Sequence, residues 1–315
     1  MDIQKELPFV SIVIPVKPGL IPDAVEAIKK LDYPKEKIEI ITVYGRNPSR
    51  QRNEAVKLAK GEVIYFLDND SMPAPSTLKR LVCHLKDDVV LAGGPSLMPE
   101  DISFKPFIFG KTLESYFSTG ASSARYKKVG NVRFTSEKEI ILCNMVMVKK
   151  TFFEFGGLNE RLYPNEENEL MEKLRHYNKK MVYDPESYVI RMPRKTFKGF
   201  IKQIFNYGRG RGEQTFYYPK SFNIINFIPL FFNIYLVVAF WKKGYYLLPL
   251  ILYFLVLIVD AVLKVLKERD IRYAFLPFTT FILHITYGVG LFYGLLRAPF
   301  KKVKDGEIKI EYVKI

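Results

Sequence analysis

The chain has 315 residues, 48% of them hydrophobic and 26% charged, with a formal net charge of +15 at pH 7. That is enough chain for one large core or two modest ones, and the apolar content excludes an overall disordered polymer. Two cysteines exclude a disulfide scaffold, Cys83 and Cys143 lack metal-site spacing, and three histidines make no provision for a histidine-built metal centre. Residues 221–315 hold 12 Lys/Arg and 6 Asp/Glu, so +6 of the charge lies there and +9 in residues 1–220. A bias of this size calls for an anionic partner: nucleic acid, an anionic membrane surface or a phosphate-bearing ligand.

Met1 to Glu6 is polar and mixed in charge, and the apolar run that follows is too short for a signal peptide, so the N-terminal part is expected in the cytoplasm. Phe9 to Pro15 predicts a short buried parallel strand. Pro22 to Leu31 has helical spacing of Ala24, Val25, Ile28 and Leu31. Ile38 to Val43 is a second strand. Ser49 to Ala59 reads as a helix with Ser49 as N-cap and Gly61 beyond its end. Glu62 to Leu67 is a third strand running straight into Asp68-Asn69-Asp70. Ser76 to Leu85 is a helix and Val89 to Ala92 a fourth strand. This order predicts an α/β domain: a mainly parallel sheet with helices on both faces and a ligand at the carboxyl ends of the strands.

After Phe222 the chain turns mostly apolar in three blocks, Phe227–Trp241, Tyr245–Leu263 and Ala274–Leu296. A bilayer core of about 30 Å takes roughly 20 helical residues, which the second and third blocks supply. The first is short and carries Pro229 and Asn233, so it either spans with a tilt or lies in the interface. Lys264, Lys267, Arg269 and Arg272 form one basic cluster, and Arg297, Lys301, Lys302 and Lys304 another. Both prefer the cytoplasmic side, yet one apolar block separates them, and Lys242-Lys243 adds a third basic site. Three spans put the tail outside; two spans and an interfacial segment put it inside. The tail Glu307–Ile315 alternates apolar and charged residues and predicts a strand, with the cytoplasmic domain as its partner. The expected organisation is a cytoplasmic domain over 1–220, a membrane region over 221–298 with two or three transmembrane helices, and a basic tail with a short strand over 299–315.

Four groups of residues carry potential chemistry. Asp68 and Asp70, one residue apart past a buried strand, offer oxygen ligands on one face to a hard divalent cation that also binds substrate phosphates. Asn165-Glu166-Glu167-Asn168-Glu169-Leu170 opens a helix with three carboxylates, either as charge favoured at a helix N-terminus or as a general base for an acceptor hydroxyl. Arg209-Gly210-Arg211 can grip phosphate oxygens or attract anionic lipid. Arg50, Arg52 and Asn53 face either the ligand edge or solvent. Residues 101–135 interleave aromatic and basic side chains, as an interfacial acceptor channel or an ordinary packed helix would. Nucleic acid is not an expected partner, because it leaves the apolar blocks unexplained.

Together these pieces resemble the family 2 glycosyltransferases, which have the GT-A fold. The likeness rests on Phe9-Val-Ser-Ile-Val-Ile-Pro15, Arg52-Asn-Glu-Ala55, Gly61-Glu-Val-Ile-Tyr-Phe-Leu-Asp-Asn-Asp70, Phe155-Gly-Gly-Leu-Asn-Glu160, Asn165–Leu170 and Gln203-Ile-Phe-Asn-Tyr-Gly-Arg-Gly-Arg211. The last piece and His284-Ile-Thr-Tyr-Gly-Val-Gly290 look most like the membrane-bound subgroup of succinoglycan-type glucosyltransferases. The resemblance implies inverting transfer from a nucleotide-diphosphate sugar to a lipid-linked acceptor, with membrane lipids around the apolar region. It implies Pro15 and Val16 beside the nucleotide base, Arg52, Asp68, Arg209 and Arg211 toward the donor, and Asp70 with Asp68 on Mn²⁺ or Mg²⁺. Glu167 stands where the family has its base, with Glu166 as the alternative. The chain departs from the family at Val43–Pro48, which lacks the usual acidic stretch, and at Glu167, where Asp is usual. A polyprenyl-phosphate acceptor and an inert scaffold of the same fold are the competing readings.

Overall fold

The computed structural model describes residues 7–302 and 306–313; Lys304 and the last two residues of the predicted tail strand lie outside that range. In chain order, the first elements are β1 (Val10–Val16), α1 (Ala24–Ile28), β2 (Ile38–Tyr44), α2 (Pro48–Leu58), β3 (Val63–Leu67), β4 (Met72–Pro73), α3 (Thr77–Cys83), β5 (Val89–Gly93) and β6 (Ser96–Leu97). There follow α4 (Phe104–Glu114), α5 (Tyr116–Thr119), β7 (Arg133–Phe134), β8 (Asn144–Val148), α6 (Lys149–Glu154), α7 (Glu166–His176), β9 (Lys180–Tyr183) and β10 (Val189–Ile190). Four long helices come next, α8 (Phe197–Tyr217), α9 (Ile224–Lys242), α10 (Leu248–Glu268) and α11 (Leu276–Arg297), and then β11 (Lys309–Val313).

Two compact units divide these elements: Met1–Pro99, Ala124–Arg191 and Lys302–Ile315 in the first, Glu100–Ser123 and Met192–Lys301 in the second. The composition change near residue 222 is therefore not where the units part. The polar helix α8 and the segment carrying α4 belong with the apolar helices, because their buried faces pack there. Phe109 stacks on Phe200 at 4.6 Å between ring centroids, and the hydroxyls of Thr112 and Thr279 meet at 2.6 Å.

The first unit is built on an eight-stranded sheet in the order β11-β2-β1-β3-β8-β5-β9-β7. β1 lies parallel to β2 and β3, as expected of buried apolar runs, with Val10 opposite Ile38 and Val16 opposite Tyr44. The third and fourth expected strands are not neighbours. β8 inserts between them, antiparallel to both β3 and β5. Its sequence, Asn-Met-Val-Met-Val, is a short apolar run with few of the β-branched residues that announce a strand. Five strands still point one way (β2, β1, β3, β5 and β9), so the sheet keeps a common carboxyl edge. Ile12, Ile14, Tyr65 and Leu78 fill the core on one face of the sheet, and Val13, Ile41, Phe66, Met145 and Leu170 that on the other.

The tail strand forms as predicted: β11 pairs antiparallel with β2, Lys309 opposite Tyr44 and Val313 opposite Ile40. One local expectation is corrected. α2 is capped by Asn47, whose side chain accepts the Arg50 N–H, and begins at Pro48 rather than at Ser49. Proline lacks the N–H that the first turn leaves unpaired and has the right φ, so it takes N1 and pushes the cap one residue back. Ser49 is buried inside the first turn.

In the second unit, α9, α10 and α11 are long and apolar enough to cross a membrane. α8 and α11 approach through glycines. A Cβ on Gly208 would lie 2.1 Å from the Tyr287 carbonyl oxygen, and one on Gly290 would lie 2.3 Å from that of Phe205. Gly212 and Gly294 repeat this contact one turn on, so two small-xxx-small stripes let the backbones touch.

Candidate active site

The carboxyl ends of β1, β2 and β3 meet at one edge of the first unit. β3 stops at Leu67, and the Asp68-Asn69-Asp70 turn that follows carries two carboxylates out of the sheet. Both face one cation, as their alternation predicts. The Arg191 guanidinium sits 3.0 Å from Asp68 Oδ2 and 2.8 Å from Asp70 Oδ1. Asp68 also accepts from Arg52 Nη2 at 2.6 Å.

Arg52 lies on the buried face of α2, 4% exposed, so it faces the ligand edge and not solvent. Its other arm donates to Glu166 Oε1 at 3.3 Å. Glu166 is 2% exposed and its Oε2 accepts the Asn165 N–H at 2.9 Å. Burial, and then the charge of Glu167, push the Glu166 carboxyl up to about 7 against the opposing pull of Arg52. Asn165, the residue before α7, has φ +124°, a conformation that costs on the order of 1–3 kcal/mol and concentrates at functional sites.

Glu167, 14% exposed, is more open than Glu166, and its Oε1 lies 3.9 Å from Arg125 Nη1. Arg125 is fixed by donating to the Lys138 and Glu137 carbonyls and to Asn168 Oδ1. The third carboxylate of the cluster, Glu169, is buried against Lys173 at 2.6 Å and serves the helix itself. The first unit thus gathers Arg52, Asp68, Asp70, Glu166 and Glu167 into one chain of contacts. Arg191 and Arg125 complete it, and the sequence did not single out either in this role. Arg191 follows a two-residue strand, and Arg125 ends a short 3₁₀ turn, so no periodicity points to them.

Pro15 and Val16 end β1 with buried side chains, and what Val16 offers is its carbonyl, which accepts from Gly45 N and Gln51 Nε2. Beside them opens a cleft of about 1020 Å³, lined among others by Pro18, Leu20, Tyr44, Arg50, Glu54 and the tail residues Glu307 to Glu311. Arg209 and Arg211 lie on α8 in the second unit. Arg209 Nε is 3.6 Å from Glu213, a fully buried carboxylate that Arg297 Nη1 reaches at 3.0 Å and Lys301 Nζ also contacts. In the 101–135 segment, Phe107 and Phe109 are buried packing residues, while Phe104, Tyr116 and Phe117 are exposed.

Among the described residues, no group of three or more His, Cys, Asp or Glu side chains converges on a metal position. Two carboxylates directed at one cation are nevertheless a donor set suited to Mg²⁺ or Mn²⁺, which complete their shells with phosphate oxygens and water. Arg191 marks where a cation is held between them.

A parallel β1–β3 core with this acidic turn at its carboxyl edge defines a GT-A fold. Residues 13–105 match the model of glycosyl transferase family 2. A relative from Methanococcus voltae is 22% identical, with the alignment covering 92% of this chain and 98% of the relative. That protein is the dolichyl N-acetyl-α-D-glucosaminyl phosphate 3-β-D-2,3-diacetamido-2,3-dideoxy-β-D-glucuronosyltransferase. Among solved structures, a mannosyltransferase from Pyrobaculum calidifontis in complex with GDP-Man and Mn²⁺ superposes with a TM-score of 0.62 at 14% identity, covering 93% of this chain and 88% of that one. The fold is that of the GT-A enzymes, residues 13–105 are similar to glycosyl transferase family 2, and the chain is a glycosyltransferase.

Proposed function

We propose that the chain transfers a sugar, with inversion, from a nucleotide-diphosphate sugar to a hydroxyl of a lipid-linked saccharide, as a step in envelope glycan or glycolipid synthesis at the cytoplasmic face of a membrane. The observation that carries this reading is the Arg52 bridge, 2.6 Å to Asp68 and 3.3 Å to Glu166, which couples the donor-side turn to the acidic helix. Pro15, Val16 and the cleft beside Tyr44 seat the nucleotide; Asp68, Arg52 and Arg191 lie toward its diphosphate. Arg209 and Arg211 are assigned to the same charge.

Asp70 and Asp68 would hold Mn²⁺ or Mg²⁺. The ion would stabilise the negative charge that grows on the leaving diphosphate. The anomeric carbon passes through an oxocarbenium-like state, and the acceptor hydroxyl must give up its proton. Glu167 is the assigned base, being the more exposed of the pair, and Glu166 fixes its surroundings through Arg52 and the Asn165 backbone. The acidic pair favours a hydroxyl acceptor, since a lipid phosphate is already ionised and needs no base. The Methanococcus relative, which acts on a dolichyl-phosphate-linked sugar, supports the same choice, and the Pyrobaculum complex with GDP-Man and Mn²⁺ supports a nucleotide-sugar donor and a divalent ion.

The test is turnover of UDP- and GDP-sugars by purified protein with Mn²⁺ or Mg²⁺, with and without lipid-linked saccharide. Metal-dependent release of nucleotide from one donor, stimulated by the acceptor and lost in Asp70→Ala, is expected. Absence of turnover with every donor, together with no donor binding, would sink the reading.

A further inference from the structure

We infer that two of the three apolar helices, α9 and α10, cross the membrane as a hairpin, while α11 lies along its surface on the side of the catalytic sheet. This does not depend on the sugar-transfer reading. It starts from β11, which pairs with β2 over Lys309–Val313 in the sheet that also holds β1 and β3. A strand hydrogen-bonded within a sheet lies on that sheet's side of any membrane. The chain between Arg191 and Lys302 therefore crosses an even number of times, and three helices suited to crossing cannot all do so.

α11 is the one that stays. Among the residues of its most apolar stretch 39% are buried in protein, against 11% in each of the other two candidates. α8 accompanies α11 along its whole length: the Phe197 and Phe278 rings stack at one end, and the Tyr217 hydroxyl donates to the Ala298 carbonyl at the other. Were α11 to cross, α8 would be carried across with it. α8 holds Lys198, Lys202, Arg209, Arg211 and Glu213, and the two lysines are exposed. Exposed charges at that depth are strongly disfavoured. At the membrane surface the same pair fits well. The lysines face headgroups, and the exposed stripe Phe278, Val289, Phe292, Tyr293 and Leu296 of α11 rests on the acyl boundary.

α9 and α10 have the lengths a crossing requires, about 28 Å for 19 residues and about 31 Å for 21. Both expose apolar side chains along their length, as a lipid environment allows. With α11 retained, the basic clusters at 264–272 and at 297–304 fall on one side, which removes their conflict with the preference of Lys and Arg for the cytoplasm.

The test uses the full chain in bacterial membranes, with exposed Cys83 changed to Ser as the unlabelled parent and buried Cys143 kept. Tyr245→Cys, Lys267→Cys and Lys309→Cys are each added singly and treated with a membrane-impermeant maleimide in intact spheroplasts and after permeabilisation. Tyr245→Cys should label fully in intact spheroplasts, and the other two only after permeabilisation. Labelling of Lys309→Cys from outside overturns the even count. Labelling of Lys267→Cys from outside, or protection of Tyr245→Cys until permeabilisation, overturns the choice of helices. A parent chain extracted from membranes by alkaline carbonate would overturn both.

Discussion

Asp68 and Glu166 stand nearly a hundred residues apart in the chain, and one buried guanidinium holds both. Arg52 reaches them at 2.6 and 3.3 Å from the inner face of α2. Removing a charged partner from such a buried group leaves the others uncompensated and costs about 3–5 kcal/mol. Arg52→Met should therefore lower the thermal midpoint of the purified protein by several degrees and abolish donor turnover. Arg52→Lys keeps the charge but loses the two-armed reach, so it should recover most of the stability and little of the turnover. Equal recovery of both would show that the bridge is structural only.

Arg191 occupies the position between Asp68 and Asp70 that the proposed ion requires. A positive charge within about 3–4 Å of a cation site opposes metal binding. Arg191→Met should therefore tighten Mn²⁺ binding in the absence of donor, by about tenfold, as read by Mn²⁺ electron paramagnetic resonance. The same variant should weaken donor binding, because the guanidinium is also proposed to face the diphosphate. Unchanged Mn²⁺ affinity would place the ion elsewhere.

The acidic pair sets the pH dependence. Burial and Glu167 raise the Glu166 carboxyl to about 7, so the pair keeps a proton at mildly acidic pH. Only ionised Glu166 completes the charge pair with Arg52, which also holds Asp68, so kcat/KM for transfer should rise as Glu166 loses its proton and level off above about 7. Glu166→Gln removes the group that titrates near 7, so that inflection should disappear from its profile. Glu167→Gln should lose about 10²–10⁴-fold in rate, the contribution of a positioned base. Retention of transfer in the double Gln variant would remove the base from the mechanism.

Much of this site was legible because its chemistry is local. The Asp68-Asn69-Asp70 turn is announced by the strand that precedes it, and the acidic opening of α7 by its own composition. The tail strand announced itself by alternation, and its need for a partner was enough to name the domain it joins. What escaped the sequence was decided by tertiary contact. Arg191 and Arg125 are single residues beside very short elements. β8 is a methionine-rich run whose place in the sheet depends on its neighbours on both sides. The boundary between units was hidden because α8 looks soluble, and only its glycine stripe shows that it belongs against α11.

Asp184 supplies an acid-stability prediction in the first unit. Its carboxylate is fully buried and accepts from Arg80 Nε and Nη2 at 3.1 and 3.0 Å and from the Ser187 hydroxyl at 2.9 Å, with His84 Nε2 at 3.0 Å. Burial alone pushes the carboxyl up, but the bonds from His84, Arg80 and Ser187 outweigh it and hold it far below the usual range. A carboxyl depressed in the folded state contributes stability above its unfolded value of about 4, and this contribution is lost as pH falls below that value. Asp184→Asn should flatten the stability profile between about pH 4 and 2 while lowering stability at neutral pH by about 3–5 kcal/mol, measured by urea unfolding across pH.

The α8–α11 seam gives a steric prediction. A methyl group on Gly208 would stand 2.1 Å from the Tyr287 carbonyl oxygen, and one on Gly294 2.2 Å from that of Arg209. These obstacles are backbone atoms, which a rotamer change cannot move, so the helices must separate. Separation would also pull Arg297 and Lys301 from Glu213, leaving a buried carboxylate short of partners. Gly208→Ala should therefore lower the thermal midpoint of the detergent-solubilised protein far more than Gly244→Ala, whose added methyl meets nothing within 4 Å and carries only the strain of a φ of +57°. Trypsin sensitivity at Lys301 is the local readout: the Gly208 variant should be cut there faster than the parent. Equal melting of the two variants would show that the close approach of α8 and α11 adds nothing to the stability of the second unit.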